Sequence, residues 1–227
     1  MPATRTHAFS RCWLGGAALL TALLTALLAL GACSGPGGAS ATATATPNAQ
    51  TILQKVKARN YKDGAFNISL SGTVSGTAFT GTGTGKFTTS SSRASLTLMA
   101  PISGQNVAID IITDGSTNTA YIKVPLLSPK WSKASSASAG IGAGSVGSFN
   151  LQNAKLLGTE QLNGVTVYHL QGQDASSVGA TDDLYVRQDN YQPMRYTIKS
   201  ATTSATIDFT SFNTVVTIAL PPPDQVQ

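Results

Sequence analysis

Apolar and polar side chains alternate with a period of two along most of this chain, and that alternation restricts its fold more than any other feature. Phe66, Ile68 and Leu70 are separated by polar residues, which is the pattern of a strand with one buried face. Weaker segments of the same kind follow at 74–80, 85–88, 96–98, 107–111 and 120–124. Turn-forming residues at 101–104 and 114–115 separate these segments without a helical stretch between them. The pattern therefore predicts an antiparallel meander.

The alternation returns in the C-terminal third of the chain. Asn163-Gly164 lies between two alternating segments, and this dipeptide is a strong hairpin signal because the tight turn needs positive φ at both positions. A second hairpin is predicted around Asp189-Asn190, between segments 184–187 and 193–199. A further strand is predicted at 206–212.

The chain is expected to close after these strands. An apolar segment at 215–220 completes the domain, and Pro221 to Pro223 then exclude further strand or helix, so that residues 224–227 form a tail. Earlier in the chain, the alternating glycines Gly81, Gly83 and Gly85 predict a flattened face with a bend or a close backbone approach.

One short helix is predicted ahead of the strands. Thr46-Pro47 offers an N-cap and a first-turn proline, and Ala49, Ile52, Leu53 and Val56 then share one face at helical spacing. The helix is expected to end near residue 60 and to pack on the sheet. Residues 46–223 are thus expected to form one domain.

Residues 125–149 lack any periodicity and form a long insertion rich in glycine and serine. Insertions of this length in compact domains are either functional lids or disordered loops, and the sequence leaves both interpretations open. As a lid, the segment would be anchored by its large apolar residues, which are Leu126, Leu127, Trp131, Ile141 and Phe149.

Residues 1–32 have the composition of an export signal that ends at a cysteine. Arg5 and Arg11 give a positive start without an acidic residue, and residues 13–30 are apolar apart from two glycines and two threonines. The stretch from Leu30 to Cys33, LGAC, resembles a bacterial lipobox, which implies cleavage before Cys33 and a diacylglycerol thioether on it. We expect acyl chains such as palmitate to hold the protein at the outer face of the cell membrane.

Two other interpretations of this stretch stay open. The apolar run would span roughly 27 Å as a helix, which is also compatible with an uncleaved membrane anchor. Cleavage near Ala32 by an ordinary signal peptidase would instead leave Cys33 as a free thiol. In each case the chain leaves the cytoplasm, and residues 33–45, which lack charge and periodicity, are expected to be a flexible tether.

Charge and composition exclude several classes of function. The chain has 15 basic and 10 acidic side chains, and two of the basic ones precede Cys33, which leaves 13 basic against 10 acidic in the exported part. The basic residues between 55 and 62 lie along one short helical segment, which is typical of a solvated helix face. A nucleic-acid surface is therefore not expected.

Residues that carry catalytic chemistry are sparse. After the signal, Cys33 is the one cysteine and His169 the one histidine, so that a disulfide, a zinc site or a nucleophilic dyad is not expected. His169 is interpreted as a strand residue with a satisfied ring, and Asp182, Asp183 and Asp189 as solvated acids near a turn. No glycine run has the spacing of a nucleotide-binding loop. The sequence therefore predicts a protein that is not an enzyme and has no cofactor or metal.

Three segments of the C-terminal half resemble a known family. They are GTEQLNGVTVYHLQG, DLYVRQDNYQPMRYTIKS and TIDFTSFNTVVTIALPPP, and they resemble the LppX/LprG-like lipoproteins, relatives of the LolA and LolB lipoprotein carriers. The resemblance extends over most of residues 47–223, including a final strand from Phe209 to Pro221. It implies a mainly β, α+β fold: a curved antiparallel half-barrel of about ten strands, backed by helices, with a lid-like insertion. In the family the concave face receives acyl chains, whereas residues 125–149 depart from the family's apolar helices.

A sheet of about ten strands is wider than one short helix can cover, so its apolar face must close on itself, pack on another layer or hold a ligand. The candidate lining residues, each of which also suits an ordinary core, are Phe66, Ile68, Leu70, Leu96, Leu98, Val107, Ile109 and Ile111. The expected ligands are acyl chains of a lipid, glycolipid or lipoprotein, bound by a monomer that carries them across the cell envelope. The alternative is a non-catalytic surface sensor or interaction lipoprotein that binds a protein on the same fold.

Overall fold

The computed structural model describes residues 47–74, 77–102, 104–135, 149, 151–174 and 179–227. They belong to a compact unit, Ala45–Gln227. The predicted signal, Cys33 and the tether lie outside the described residues, as do Ile141 and most of the predicted insertion. The elements of the described part are α1 (Ala49–Ala58), β1 (Asp63–Val74), β2 (Thr77–Thr88), β3 (Arg93–Ile102), β4 (Gln105–Asp114), β5 (Thr119–Lys123), β6 (Ser132–Ser135), β7 (Leu151–Leu162), β8 (Val165–Asp174), β9 (Thr181–Arg187), β10 (Pro193–Lys199) and β11 (Thr203–Phe212).

The strands form one curved antiparallel sheet in the order β6-β5-β4-β3-β2-β1-β11-β10-β9-β8-β7. One meander runs outwards from β1 to β6, and a second runs inwards from β7 to β11. The two meanders join where β1 pairs with β11. The predicted mainly β antiparallel fold with an N-terminal helix is confirmed, with eleven strands among the described residues where about ten were expected.

Both predicted hairpins are confirmed. Asn163 and Gly164 have φ angles of 52° and 77°, as the two-residue turn between β7 and β8 requires. The second hairpin joins β9 to β10 around Asp189-Asn190. The prediction of two separate strands at 74–80 and 85–88 is wrong, because β2 is continuous through its three glycines. Their missing side chains weaken the alternation without interrupting the backbone pairing with β1.

The helix starts two residues later than predicted. Its N-cap is Asn48, whose side chain accepts a hydrogen bond from the Thr51 backbone N–H at 2.8 Å. An asparagine at this position satisfies one of the unpaired N–H groups of the first turn. Ala49, Ile52, Leu53 and Val56 are buried, as their spacing predicts.

The end of the chain differs from the prediction. The final strand stops at Phe212, so the prediction that it continues to Pro221 is wrong. Val215, which lies in the segment expected to complete the domain, is 97% exposed. The expectation of no regular structure after the prolines is also wrong. Pro223–Gln225 form a 3-10 turn, and Val226 makes a parallel bridge to Trp131.

Within the residues that the structure describes, no helix has the length and apolar character needed to cross a membrane.

The glycines of β2 differ in how closely the next strand approaches them. A Cβ atom at Gly83 would lie 2.1 Å from the backbone oxygen of Thr97, whereas one at Gly81 would lie 3.4 Å from its nearest neighbour, the backbone oxygen of Met99. The predicted close backbone approach is therefore confirmed at Gly83.

We expect Gly83→Ala to lower the free energy of unfolding by about 1–3 kcal/mol, because the new methyl group must displace the backbone of β3. Gly81→Ala is the matched control, and its effect should stay within about 0.5 kcal/mol. Urea unfolding of Ala45–Gln227 measures both. Equal stability of the two variants would contradict the close approach.

Candidate functional site

One face of the sheet is apolar across nine strands. Residues directly opposite each other in antiparallel neighbours project from the same face, so the register defines which side chains share it. The longest such row, in order across the sheet, is Leu156, Leu170, Leu184, Tyr196, Ile207, Ile68, Gly83, Leu98 and Ile109. We call the side of the sheet that carries this row the apolar face.

The structure places all eight candidate lining residues on the apolar face. A second row runs through Phe209, Phe66, Gly85, Leu96, Ile111 and Ile122. Leu70 lies opposite Gly81 and Val107 opposite Ala100. Six of the eight candidates are buried, whereas Leu70 and Ile109 are only half-buried against the core.

The helix α1 covers only part of this face. Ten residues at 1.5 Å per residue give a helix of roughly 15 Å, whereas eleven strands at about 4.8 Å spacing span roughly 48 Å. The four buried residues of α1 belong to the same core as the candidates in the first two rows. The width of the apolar face therefore exceeds what the helix can shield.

A strip without side chains crosses the middle of this face at Gly81, Gly83 and Gly85. The ring of Phe66 lies on Gly85, since a Cβ there would be 2.2 Å from the Phe66 Cζ atom. No ring lies within 4 Å of the corresponding position at Gly81. The strip is thus filled at one end and lacks an aromatic cover at the other.

An aromatic cluster lies at the end of the face near the start of β1. Phe149 is buried, and its ring centroid is 5.3 Å from that of Phe209. Tyr61 packs on Phe212 with ring centroids 4.3 Å apart, and Phe87 contacts both Phe209 and Phe212 edge to face. Sequence reasoning missed this cluster because Tyr61, Phe87 and Phe149 come from separate segments, and only register brings them together.

The other lid candidates in the described part occupy different surroundings. Leu126 and Leu127 are exposed in the turn after β5. Trp131 directly precedes β6, and its backbone N–H and oxygen pair with Gln225 and Gln227. The lid remains a prediction, since most of the segment between Trp131 and Phe149 lies outside the described residues.

An open cleft of about 300 Å³ lies beside the aromatic cluster, at the end of α1. Its lining residues are Arg59, Tyr61, Asn190, Gln192, Phe212 and Asn213. None of the candidate lining residues belongs to this cleft. Its amide and guanidinium groups suit a polar group better than an acyl chain.

The opposite face of the sheet carries a buried carboxylate with three partners. Asp183 is 1% exposed, and its oxygens accept hydrogen bonds from Gln171 Nε2 at 3.0 Å and from Lys199 Nζ at 3.1 Å. The Nε2 atom of His169 lies 3.0 Å from the same carboxylate. The interpretation of Asp182 and Asp183 as solvated turn acids is therefore wrong: both lie within β9 and are buried.

His169 has partners on both ring nitrogens. Besides its contact with Asp183, its Nδ1 atom lies 3.4 Å from Glu160 Oε1, and the ring stacks on Tyr185 with centroids 4.4 Å apart. The prediction of a satisfied strand histidine is confirmed. Within the described ranges, no three His, Cys, Asp or Glu side chains are grouped as a metal site would require.

The charge state of Asp183 follows from these contacts. Burial acts to raise the pKa of Asp183, but the hydrogen bonds from Gln171, His169 and Lys199 outweigh it and lower that pKa below its ordinary value. The same contact with Asp183 raises the pKa of Lys199. Asp183 is therefore ionised in the folded chain at neutral pH and links β8, β9 and β10.

Comparison with solved structures gives similar chains of low identity. The lipoprotein LppX of Mycobacterium tuberculosis has a TM-score of 0.49 at 16% identity, with 75% of this chain and 100% of LppX covered. LprF of Mycobacterium bovis has a TM-score of 0.48 at 15% identity, with 76% and 96% covered. A LolA superfamily protein of Nitrosomonas europaea has a TM-score of 0.35 at 16% identity, with 78% and 96% covered.

No family model matches the chain, and no curated protein matches it. At these identities and TM-scores, the likeness to LppX, LprF and the LolA superfamily protein assigns neither a family nor a ligand to this chain.

Asp183 gives a prediction for the pH dependence of stability. Because its pKa is lower in the folded than in the unfolded chain, its ionised form contributes stability above the ordinary value of about 3.9. That contribution is lost as the pH falls through this value towards the folded pKa. We expect Asp183→Asn to lower the free energy of unfolding at pH 7 by about 1–3 kcal/mol and to flatten its decline in acid.

Asp189→Asn is the control, since Asp189 is exposed in its pair with Arg187. Urea unfolding between pH 3 and pH 7 measures both variants. A steep acid decline that persists in Asp183→Asn would show that other groups cause it.

Proposed function

We propose that this protein is anchored by lipid at the outer face of the cell membrane, binds acyl chains of a lipid, glycolipid or lipoprotein on its apolar face and carries them across the cell envelope. The observation that carries the proposal is the continuous apolar row over nine strands, with a single ten-residue helix to shield it among the described elements. Most side chains of the row are buried in the core, whereas Leu156 and Ile109 at its two ends are half-buried, so a further apolar partner would cover the exposed parts of the face. An acyl chain is the partner that requires no polar group from the protein.

The half-buried residues indicate where such a chain would enter. Leu70 and Ile109 belong to the apolar face but remain partly accessible beside Gly81 and Val107. A flexible chain lying along the glycine strip would contact these side chains. The interior of such a site needs no catalytic group, and His169 and Asp183 lie on the other face with their own partners.

Energetics favour carriage over permanent storage. Burying a 16-carbon chain at roughly 0.8 kcal/mol per methylene gives a gross gain on the order of 12 kcal/mol, and a bilayer offers about the same gain. The net preference for the protein is therefore small, so that small changes in the site can reverse uptake into release. A membrane anchor on Cys33 would keep the site close to its lipid source.

We expect Cys33 to be acylated, because the apolar run, the small residues and the cysteine occur in the order that lipid modification requires. Mass spectrometry of the N-terminal peptide should show a diacylglycerol group on Cys33 and no residue before it. Cys33→Ala should move the protein from the membrane fraction to the medium. An unmodified Cys33, or retention of residues 1–32, would overturn the anchor.

Lipid that co-purifies with Ala45–Gln227 tests the binding site. We expect Val107→Trp and Ile109→Asp to remove most of the lipid recovered by solvent extraction, because the first fills the apolar face and the second places a charge on it. Ala108→Trp and Ala108→Asp are the matched controls, since Ala108 projects from the opposite face beside Met99, and they should keep the lipid.

Circular dichroism of each variant tests whether it is folded. If folded Val107→Trp and Ile109→Asp retain lipid at the wild-type ratio, the apolar face is not the site. If the wild type carries no lipid, the protein is better explained as a sensor that binds a protein partner.

A further inference from the structure

The turn between β5 and β6 exposes two adjacent leucines. Leu126 is 61% exposed and Leu127 is 79% exposed. The backbone N–H groups of Leu127 and Ser128 both donate to the Val124 oxygen, at 2.8 Å and 3.0 Å, and the Lys130 N–H donates to Ser128 Oγ at 3.1 Å. The leucines are thus held outwards by a hydrogen-bonded turn. We call residues 124–130 the leucine turn.

The C-terminal residues brace the base of the leucine turn. Trp131 donates its backbone N–H to the Gln225 oxygen and accepts from the Gln227 N–H, each at 2.8 Å. The ammonium of Lys123 lies 5.8 Å from the centre of the Trp131 ring. Both ends of the turn are therefore fixed in the free protein. The leucines would lose little further conformational entropy when they bind a surface.

The surroundings of the leucine turn are basic. No acidic residue occurs between Asp114 and Glu160, whereas Lys123, Lys130 and Lys133 flank the leucines. Lys130 and Lys133 form no ion pair with any described residue.

Two acidic groups lie on neighbouring elements. Asp110 of β4 is opposite Lys123 and accepts a hydrogen bond from the Thr97 hydroxyl, and Asp224 is exposed in the 3-10 turn. Neither is paired with Lys130 or Lys133. The two lysines therefore remain available to an anionic surface.

We propose that the leucine turn docks the domain on an anionic lipid surface, with Leu126 and Leu127 inserted among the acyl chains and Lys130 and Lys133 at the phosphates. An apolar tip, flanking cations and an indole beside them match the layers of a membrane interface in that order. Paired exposed leucines on a rigid turn are also more than the scattered apolar residues that any surface carries. The inference goes beyond acyl-chain binding on the apolar face and does not depend on it.

Vesicle binding of Ala45–Gln227, which contains the whole described core and lacks Cys33, tests the proposal. Co-sedimentation with vesicles of phosphatidylcholine and phosphatidylglycerol at 3:1 should exceed that with phosphatidylcholine alone, and added salt should reduce it. The double variant Leu126→Asn, Leu127→Asn should bind at least tenfold more weakly. Val215→Asn is the control, because Val215 is 97% exposed elsewhere on the surface, and it should bind as the wild type does.

A fluorescence measurement locates the inserted residue. Trp131 is the one tryptophan of residues 45–227, so that Trp131→Phe with Leu127→Trp places the single indole at the tip of the leucine turn. Brominated acyl chains should quench this indole strongly and should leave Trp131→Phe with Val215→Trp almost unquenched. Wild-type binding by the double asparagine variant, equal quenching of the two indoles, or no binding to either vesicle would overturn the proposal.

These outcomes are separate from those of the proposed function. Variants of the leucine turn should retain co-purified lipid, and Ile109→Asp should still bind vesicles. Loss of lipid from the leucine-turn variants would show that the turn belongs to the acyl-chain site and would overturn its assignment as a docking element.

Discussion

The pairing of β1 with β11 is the interaction on which the rest of the sheet depends. It joins two meanders that are far apart in the sequence, and it sets Ile68 opposite Ile207 and Phe66 opposite Phe209. A slip of one residue would turn every apolar side chain of one meander to the other face. Because the apolar residues meet in register at this seam, the apolar face continues without interruption from Leu156 to Ile109. The rows that define the proposed site exist only through this pairing.

The two faces of the sheet then serve different purposes. The opposite face is held by polar contacts, of which the carboxylate of Asp183 with His169 and Lys199 is the most buried. The apolar face has the aromatic cluster at one end and half-buried Leu70 and Ile109 further along. Because these polar contacts stabilise the sheet from one face, the sheet can stay folded while an apolar ligand binds to and leaves the other face. This division of roles suits the proposed function, because binding an acyl chain requires no catalytic residue.

The alternation of side chains was sufficient to predict most of the strands, the two hairpins and the face on which Phe66, Ile68 and Leu70 lie, because a period of two is a local property. The sequence was less informative where the outcome depends on distant partners. Asp182 and Asp183 were predicted to be solvated acids near a turn, yet Asp183 is a buried carboxylate that Lys199 and His169 stabilise. Trp131 was predicted to lie in an irregular insertion, yet it pairs with Val226 near the end of the chain. No local signal encodes either contact.

Photo-labelling with a fatty acid that carries a diazirine near its methyl end tests the central claim most directly. The label reacts with whatever side chain lies beside the bound chain, and peptide mass spectrometry then locates it without assuming which lipid is natural. Binding on the apolar face predicts labels within β1, β3 and β4, at or beside Leu70, Leu98 and Ile109, and none on His169 or Tyr185. Labels confined to the polar face, or no labelling above that of an unfolded control, would contradict the account.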